Sequence, residues 1–254
     1  MNKSLLQHIV VLYAIALLSG CSPATKIKSV ETSSIEFNTQ NTAVDSTTYK
    51  LIAPYKKEMD KIMNEVLVVA DTALTKDLPE GSLGDFVADA VLKKANDVYK
   101  PADQVSASIC LLNNGGLRAQ LPKGNITRGN AFELMPFENA IVILTLSGEK
   151  TKQMFQSLVE INGAPFAGAT VSSKAKKITE LKIGGQPFDV NKNYKVVTSD
   201  YLAGGGDKYD FFKDPVKIDT LNYKLRDAII DYMIEQNKKG ITLKSKKDGR
   251  IKYQ

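Results

Sequence analysis

Histidine is all but missing from this chain. The single one, His8, lies in the first twenty residues. Those residues read as an export leader, so everything after them is expected to carry no imidazole. That excludes Ser–His–Asp and Cys–His nucleophile systems. It also excludes metal centres built on histidine ligands. Cysteine is scarce too. Cys110 sits inside the apolar run Val105 to Leu112 and reads as a small buried side chain rather than a reactive thiol. Cys21 stands at the leader boundary and has an unrelated role. No cluster of Asp and Glu along the chain suggests a carboxylate-only magnesium site. Helix-turn-helix, zinc-finger and RNA-binding signatures are absent, as are internal repeats.

What is present suits an ordinary globular domain. The 254 residues are 43% hydrophobic and 24% charged. That length supplies a core large enough to fold without disulfides. Net charge is +6, falling by one, to +5, when Lys3 leaves with the leader. Seven Lys and Arg fall between Lys238 and Gln254. A basic tail can favour anionic partners, but a solvated surface explains it as simply.

Residues 1–20 have a basic start at Lys3 and an apolar stretch, Ile9 to Leu18, too short for a stable spanning helix. Leu18-Ser19-Gly20-Cys21 resembles the lipobox of bacterial lipoproteins. The resemblance implies cleavage before Cys21 and diacylation of its thiol. Several acyl chains anchor firmly where one binds marginally. An uncleaved anchor is the alternative. Ser22 does not suggest retention at the inner membrane. Residues 21–46 are rich in Ser, Thr, Asn and Gln and read as a tether. Residues 47–254 are expected to form one domain.

Within it, apolar spacing predicts a helix over Thr47 to Val66, a short strand over Glu65 to Asp71, and a helix from Ser82, as N-cap, to about Tyr99. Val105 to Leu112 reads as a buried strand. A short helix, Arg128 to Leu134, stops at Pro136. Ala140 to Leu146 is a strand, followed by a helix capped by Ser147 and running to Val159. Ala164 to Val171 reads as irregular. Lys177 to Ile183 and Gln186 to Val190 form a hairpin about Gly184-Gly185. Tyr194 to Thr198 is a strand, Val216 to Asp219 a short one, and Leu221 to Gln236 the closing helix. The hairpin argues against a purely parallel sheet.

Three loops combine residue types suited to a flat, polar-edged ligand. After the strand at Val196, Tyr201 precedes Gly204 to Gly206 and Asp207. A triple glycine removes every Cβ and lets a ligand approach the main chain. Asn113-Asn114-Gly115-Gly116-Leu117-Arg118 follows a second strand, and Pro136-Phe137-Glu138-Asn139 forms a corner. Taken one at a time, Phe137 and Tyr201 read better as core aromatics. A triple glycine beside one ring and a proline corner beside the other favour an exposed site.

In this order and spacing the three loops, with Leu83 to Ala90 (LGDFVADA) and GNITRGNAFELMPFENAIV, resemble the C-terminal, substrate-binding domain of the 5′-nucleotidase family. The match runs from about Ala70 to Met233. It implies an α+β single domain with a mixed sheet and packed helices. Phe137 and Tyr201 fall where the family holds the nucleobase between two rings. Asn113, Gly115, Gly116 and Arg118 match the polar loop that contacts the nucleotide. Asp207, after the turn at Gly205, matches the carboxylate that binds the ribose hydroxyls, and Asn139 lies beside the base edge. The family's basic residue ahead of the LGD helix has no counterpart in Asp77 to Glu80; Lys76 is the nearest substitute.

Hydrolysis in that family belongs to a separate N-terminal metallophosphatase domain with two histidine-bound metals. The resemblance therefore implies no catalytic residue and no metal or other cofactor on this chain, with Mn, Zn or Co on a partner. The expected function is nucleotide or nucleoside recognition, purine foremost, as one half of a split 5′-nucleotidase that is inactive alone. The alternatives are a non-catalytic nucleoside-binding lipoprotein and an interaction module with a remnant pocket. The expected location is a membrane, through Cys21, at the periplasm, outer membrane or cell surface, with no nucleic-acid partner.

Overall fold

The computed structural model describes Ser4, His8, residue 27, residues 29–34 and residues 45–254. Cys21, most of the leader and most of the tether lie outside the described residues. Two units divide between Lys50 and Leu51. The second, Leu51–Gln254, carries every strand among the described residues. No described helix is long and apolar enough to cross a membrane.

The elements in chain order are α1 (Ser46–Met63), β1 (Val66–Ala70), α2 (Ser82–Val98), β2 (Ile109–Leu111), β3 (Gly124–Thr127), α3 (Arg128–Leu134), β4 (Ala140–Leu146) and α4 (Gly148–Glu160). Then come β5 (Phe166–Ala167), β6 (Ala169–Lys174), β7 (Lys177–Ile183), β8 (Gln186–Pro187), β9 (Tyr194–Ser199), α5 (Asp200–Ala203), β10 (Lys217–Lys224), α6 (Leu225–Lys238) and β11 (Ile251–Tyr253).

β4 and β9 are the spine. They pair antiparallel over six positions, from Ile141↔Ser199 to Leu146↔Tyr194. The five-stranded sheet runs β10-β4-β9-β2-β5. Within it only β2 and β9 run parallel. Both faces of β2, β4 and β9 are covered, which is why these strands read as continuous apolar runs rather than alternating ones. Alternate residues serve different cores. Ile141, Ile143, Val197 and Cys110 join the core beneath α2 and α6. Val142, Leu144, Val196, Ile109 and Leu111 join the core beneath α4, with Phe155, Phe166 and Phe212. A second sheet runs β11-β6-β7-β8, and β1 pairs with β3.

Several boundaries differ from those read in the sequence. The stretch expected to be irregular holds β5 and the start of β6, separated by Gly168 at φ +80°. A Cβ there would stand 1.9 Å from the Ser108 carbonyl oxygen, so only glycine passes the chain from one sheet to the other. The buried strand expected over Val105 to Leu112 shortens to β2. Leu221 to Lys224 extends β10 instead of opening the closing helix, because it continues the edge pairing with β4 as far as Lys224↔Ala140. The cap of α2 is Gly81, not Ser82; the Ser82 hydroxyl instead accepts from Thr75 N at 3.1 Å. Helix α1 forms, but it ends at Met63 and none of its residues is buried.

The corner at Pro136 to Asn139 is fixed from beneath by Arg226, which is only 5% exposed. Arg226 donates to Met135 O at 3.3 Å and Phe137 O at 3.4 Å, and its guanidinium lies 4.0 Å from the centre of the Phe132 ring. Glu138 completes the clamp through ion pairs to Lys224 and Arg226. Hydrogen bonds from Lys224 and then Arg226 lower the Glu138 carboxyl to about 2. A depressed carboxylate contributes stability above its unfolded value of about 4.3 and loses it as pH falls through the folded value. Glu138→Gln is therefore expected to lower the melting midpoint above about pH 5, and the gap from wild type to close as pH falls towards 2. Thermal scans of both proteins across that range check it; a gap independent of pH would refute the clamp.

Candidate functional site

Topology brings the three loops to one edge. Because β2 and β9 are parallel, their C-terminal ends leave the sheet side by side. One leads into Leu112 and Asn113, the other into Asp200 and Tyr201. β4 is antiparallel to β9, so its first residues stand beside the last of β9. The corner ahead of Ala140 thus arrives at the same edge. Thr198 locks the two parallel ends by donating its hydroxyl to Leu111 O at 2.8 Å.

Between the loops lies a cavity of about 360 Å³. Asn113, Gly115, Gly116 and Arg118 form one wall, Phe137 and Asn139 a second, Tyr201 and Asp207 a third. Leu112, Met135, Ser199 and Leu225 also line it. Phe137 is 43% exposed and Tyr201 50%. Neither ring is a packed interior aromatic, so the core alternative left open by the sequence fails for both.

Asp207 organises the third wall. It accepts from Asn113 Nδ2 at 2.5 Å and from the Tyr201 hydroxyl at 2.9 Å. The hydrogen bond to Asp207 raises the Tyr201 hydroxyl above the ordinary tyrosine range, so it stays protonated and donating. Asp207 itself has φ +53° and Lys208 +61°, after Gly205 at +93°. Gly206 is required by contact: a Cβ there would sit 2.5 Å from the Tyr201 ring. Tyr209, behind the turn, packs against Phe211 and Phe212, and burial pushes its hydroxyl up to about 12.

Eight of the nine residues singled out in the sequence line this cavity. Gly205 does not; it shapes the turn and is not part of the wall. Lys76 does not reach in either. It donates to Leu117 O at 2.7 Å and borders a separate small void. Arg118 points a nitrogen at Gly115 O, 3.4 Å away, and forms no ion pair among the described residues. It is the cavity's available cation.

Asp200 was not among the residues singled out in the sequence. It accepts from Asn139 Nδ2 at 2.8 Å, Ala140 N at 3.1 Å and Tyr201 N at 2.7 Å. One carboxylate thereby joins the two ring-bearing segments. Its position directly before Tyr201, as the first residue of α5, was the available signal. Among the described residues, one group of three acidic side chains is close enough to share a cation. It is Glu80, Asp85 and Asp248, and it does not line this cavity.

The family model "5′-nucleotidase, C-terminal domain" matches residues 61–214. The trifunctional nucleotide phosphoesterase protein YfkN of Bacillus subtilis is 32% identical over 222 residues, which cover 78% of this chain and 14% of that protein. NAD 5′-nucleotidase of Haemophilus influenzae is 26% identical, covering 72% of this chain and 35% of the relative. The crystal structure of a 5′-nucleotidase precursor from Thermus thermophilus superimposes with a TM-score of 0.67 at 23% identity, over 82% of this chain and 43% of that one. The chain thus spans less than half the length of each. With the family model matching more than half of its length and a relative 32% identical over most of it, the chain belongs to the 5′-nucleotidase C-terminal domain family.

Proposed function

We propose that this chain recognises the nucleoside part of a nucleotide and leaves hydrolysis of the phosphomonoester to a separate metallophosphatase polypeptide. The observation that carries the proposal is the meeting of two exposed rings and a carboxylate on one cavity of about 360 Å³. That volume lies in the range of small-molecule sites. A planar base gains roughly 1–3 kcal/mol from each aromatic face it stacks on. Asp207 offers acceptor oxygens to a vicinal diol, and Arg118 a planar charged fork to phosphate. Asn139, with Nδ2 committed to Asp200, keeps its amide oxygen as an acceptor. That suits a base with an exocyclic amino group, such as adenine.

The division of labour rests on residue types. The sequence has one histidine, His8, and the cavity walls carry no cluster of metal ligands. The two-metal chemistry that activates water and clamps phosphate oxygens would come from the partner, with Mn, Zn or Co. Opening and closing of one part over the other would commit the substrate. Lipidation at Cys21 would hold the protein on a bacterial membrane and concentrate both partners there.

Three outcomes are expected. With AMP and Mn²⁺, Zn²⁺ or Co²⁺, the purified chain alone releases no phosphate, and a histidine-bearing metallophosphatase partner restores release; turnover by the isolated chain would sink the split arrangement. In calorimetry with adenosine and AMP, Tyr201→Ala and Phe137→Ala each weaken binding, on the order of 10–100-fold. Unchanged affinity in both would remove the stacking site. Cys21→Ser moves the expressed protein from the membrane fraction to the soluble one, and retention in the membrane would refute anchoring through that thiol.

A further inference from the structure

A second charged cluster lies where the C-terminal tail crosses the start of α2. Arg250 is buried and donates to Phe166 O at 2.6 Å. It also reaches both oxygens of Asp89, at 3.1 and 3.0 Å, and both of Asp248, at 2.9 and 2.7 Å. Its Nε stands 3.3 Å from Asp85 Oδ1. A fourth carboxylate, Glu80, accepts from Gly249 N at 2.8 Å. One guanidinium is thus set among four carboxylates. Lys246 borders the adjoining cleft, and Lys247 is drawn to Asp77 at 2.9 Å.

Asp85 is where this balance fails. The residue is 6% exposed, and its Oδ2 is buried with no hydrogen-bond partner. One carboxylate oxygen from each of Glu80, Asp85 and Asp248 lies within 4.8 Å of the others. Glu80 and Asp85 also border a void of about 10 Å³, near the size of one water-sized probe. Arg250 brings one positive charge to four carboxylates, and the buried Asp85 Oδ2 is an acceptor left without a partner, which calls for a further positive charge beside it. The charge available is a proton or a cation.

We propose that Glu80, Asp85 and Asp248 bind one hard divalent cation, Ca²⁺ above others, which pins the tail to the head of α2. The donors are all oxygens, with no sulfur or imidazole, which selects against Zn²⁺ and copper. Oxygens on opposite sides of Ca²⁺ stand about 4.6–5.2 Å apart, against about 4.0–4.2 Å around Mg²⁺. The three oxygens, all within 4.8 Å of one another, lie inside the span of a Ca²⁺ shell. This site is independent of the nucleoside cavity, since none of its three residues lines that cavity.

The test is Ca²⁺ alone, added to the full chain after stripping with EDTA. Calorimetry is expected to give one ion per chain, with Kd in the range of about 10⁻⁴–10⁻³ M typical of extracellular modules. The melting midpoint should rise as Ca²⁺ is raised to about 10 mM, because the ion binds the folded form. Mg²⁺ should bind more weakly. Asp85→Asn and Asp248→Asn should each weaken Ca²⁺ at least about tenfold. Asp248 has a half-exposed side chain on the tail, so Asp248→Asn decides the matter should Asp85→Asn fail to fold. No saturable heat and no shift in midpoint for wild type would overturn the proposal and leave a shared proton in the cluster. Undiminished Ca²⁺ affinity in Asp248→Asn would overturn it equally.

Discussion

The parallel pairing of β2 with β9 is the contact on which the cavity depends. It is short: Ile109↔Val196 and Cys110↔Val197 are its ladder positions. Ser108 N, donating to Lys195 O at 3.1 Å, and the Thr198 hydroxyl, donating to Leu111 O, extend it at either end. Burial on both faces holds what so few bonds would not, since every residue of β2 packs into one core or the other. If β2 ran the other way, Asn113 and Asp207 would leave from opposite edges of the sheet, and no turn chemistry would bring them within 2.5 Å.

Three carboxylates then convert nearness into shape. Asp207 ties the glycine turn to Asn113 and to the Tyr201 hydroxyl. Asp200 ties the start of α5 to the corner before β4. Glu138 ties that corner to Lys224 and to the buried Arg226. Each is exposed enough for its bonds to be individually modest. Together they act on backbone already confined by Gly206 and by the end of the sheet. The two rings can therefore remain half in solvent without collapsing into the core, which leaves their faces free for a planar ligand.

The acidic cluster at the start of α2 shows a different economy. Glu80 and Asp85 stand five apart in sequence, while Asp248 arrives from the tail after β10 and α6 have been placed. Arg250 and β11, parallel to β6 through Ile251↔Val171, fix where that tail lies. No stretch of the chain looks acidic, and the sequence offered no sign of a carboxylate site. The grouping exists only because the tail returns to α2.

Much was legible before any coordinates. β-branched runs marked β4 and β9; Ser147 capped α4 as expected, accepting from Lys150 N at 3.3 Å; and the Gly184-Gly185 turn joined β7 to β8. The cavity-lining loops could be named because their residue types are unusual and local: a triple glycine, a proline corner, an NGG turn. Edges were harder. Leu221 to Lys224 became strand because β4 offered a partner, and Ala164 to Val171 became two strands because Gly168 lets the chain change sheets. The sequence by itself determined the chain's periodicities and its turns, since these depend on neighbours within a few residues, and its scarcity of imidazole, which is composition alone. Tertiary structure alone decided that Asp200 joins two loops, that Lys76 turns away to Leu117, and that Asp248 comes within 4.8 Å of Glu80 and Asp85, because such contacts are set by strand order and by the path of the tail.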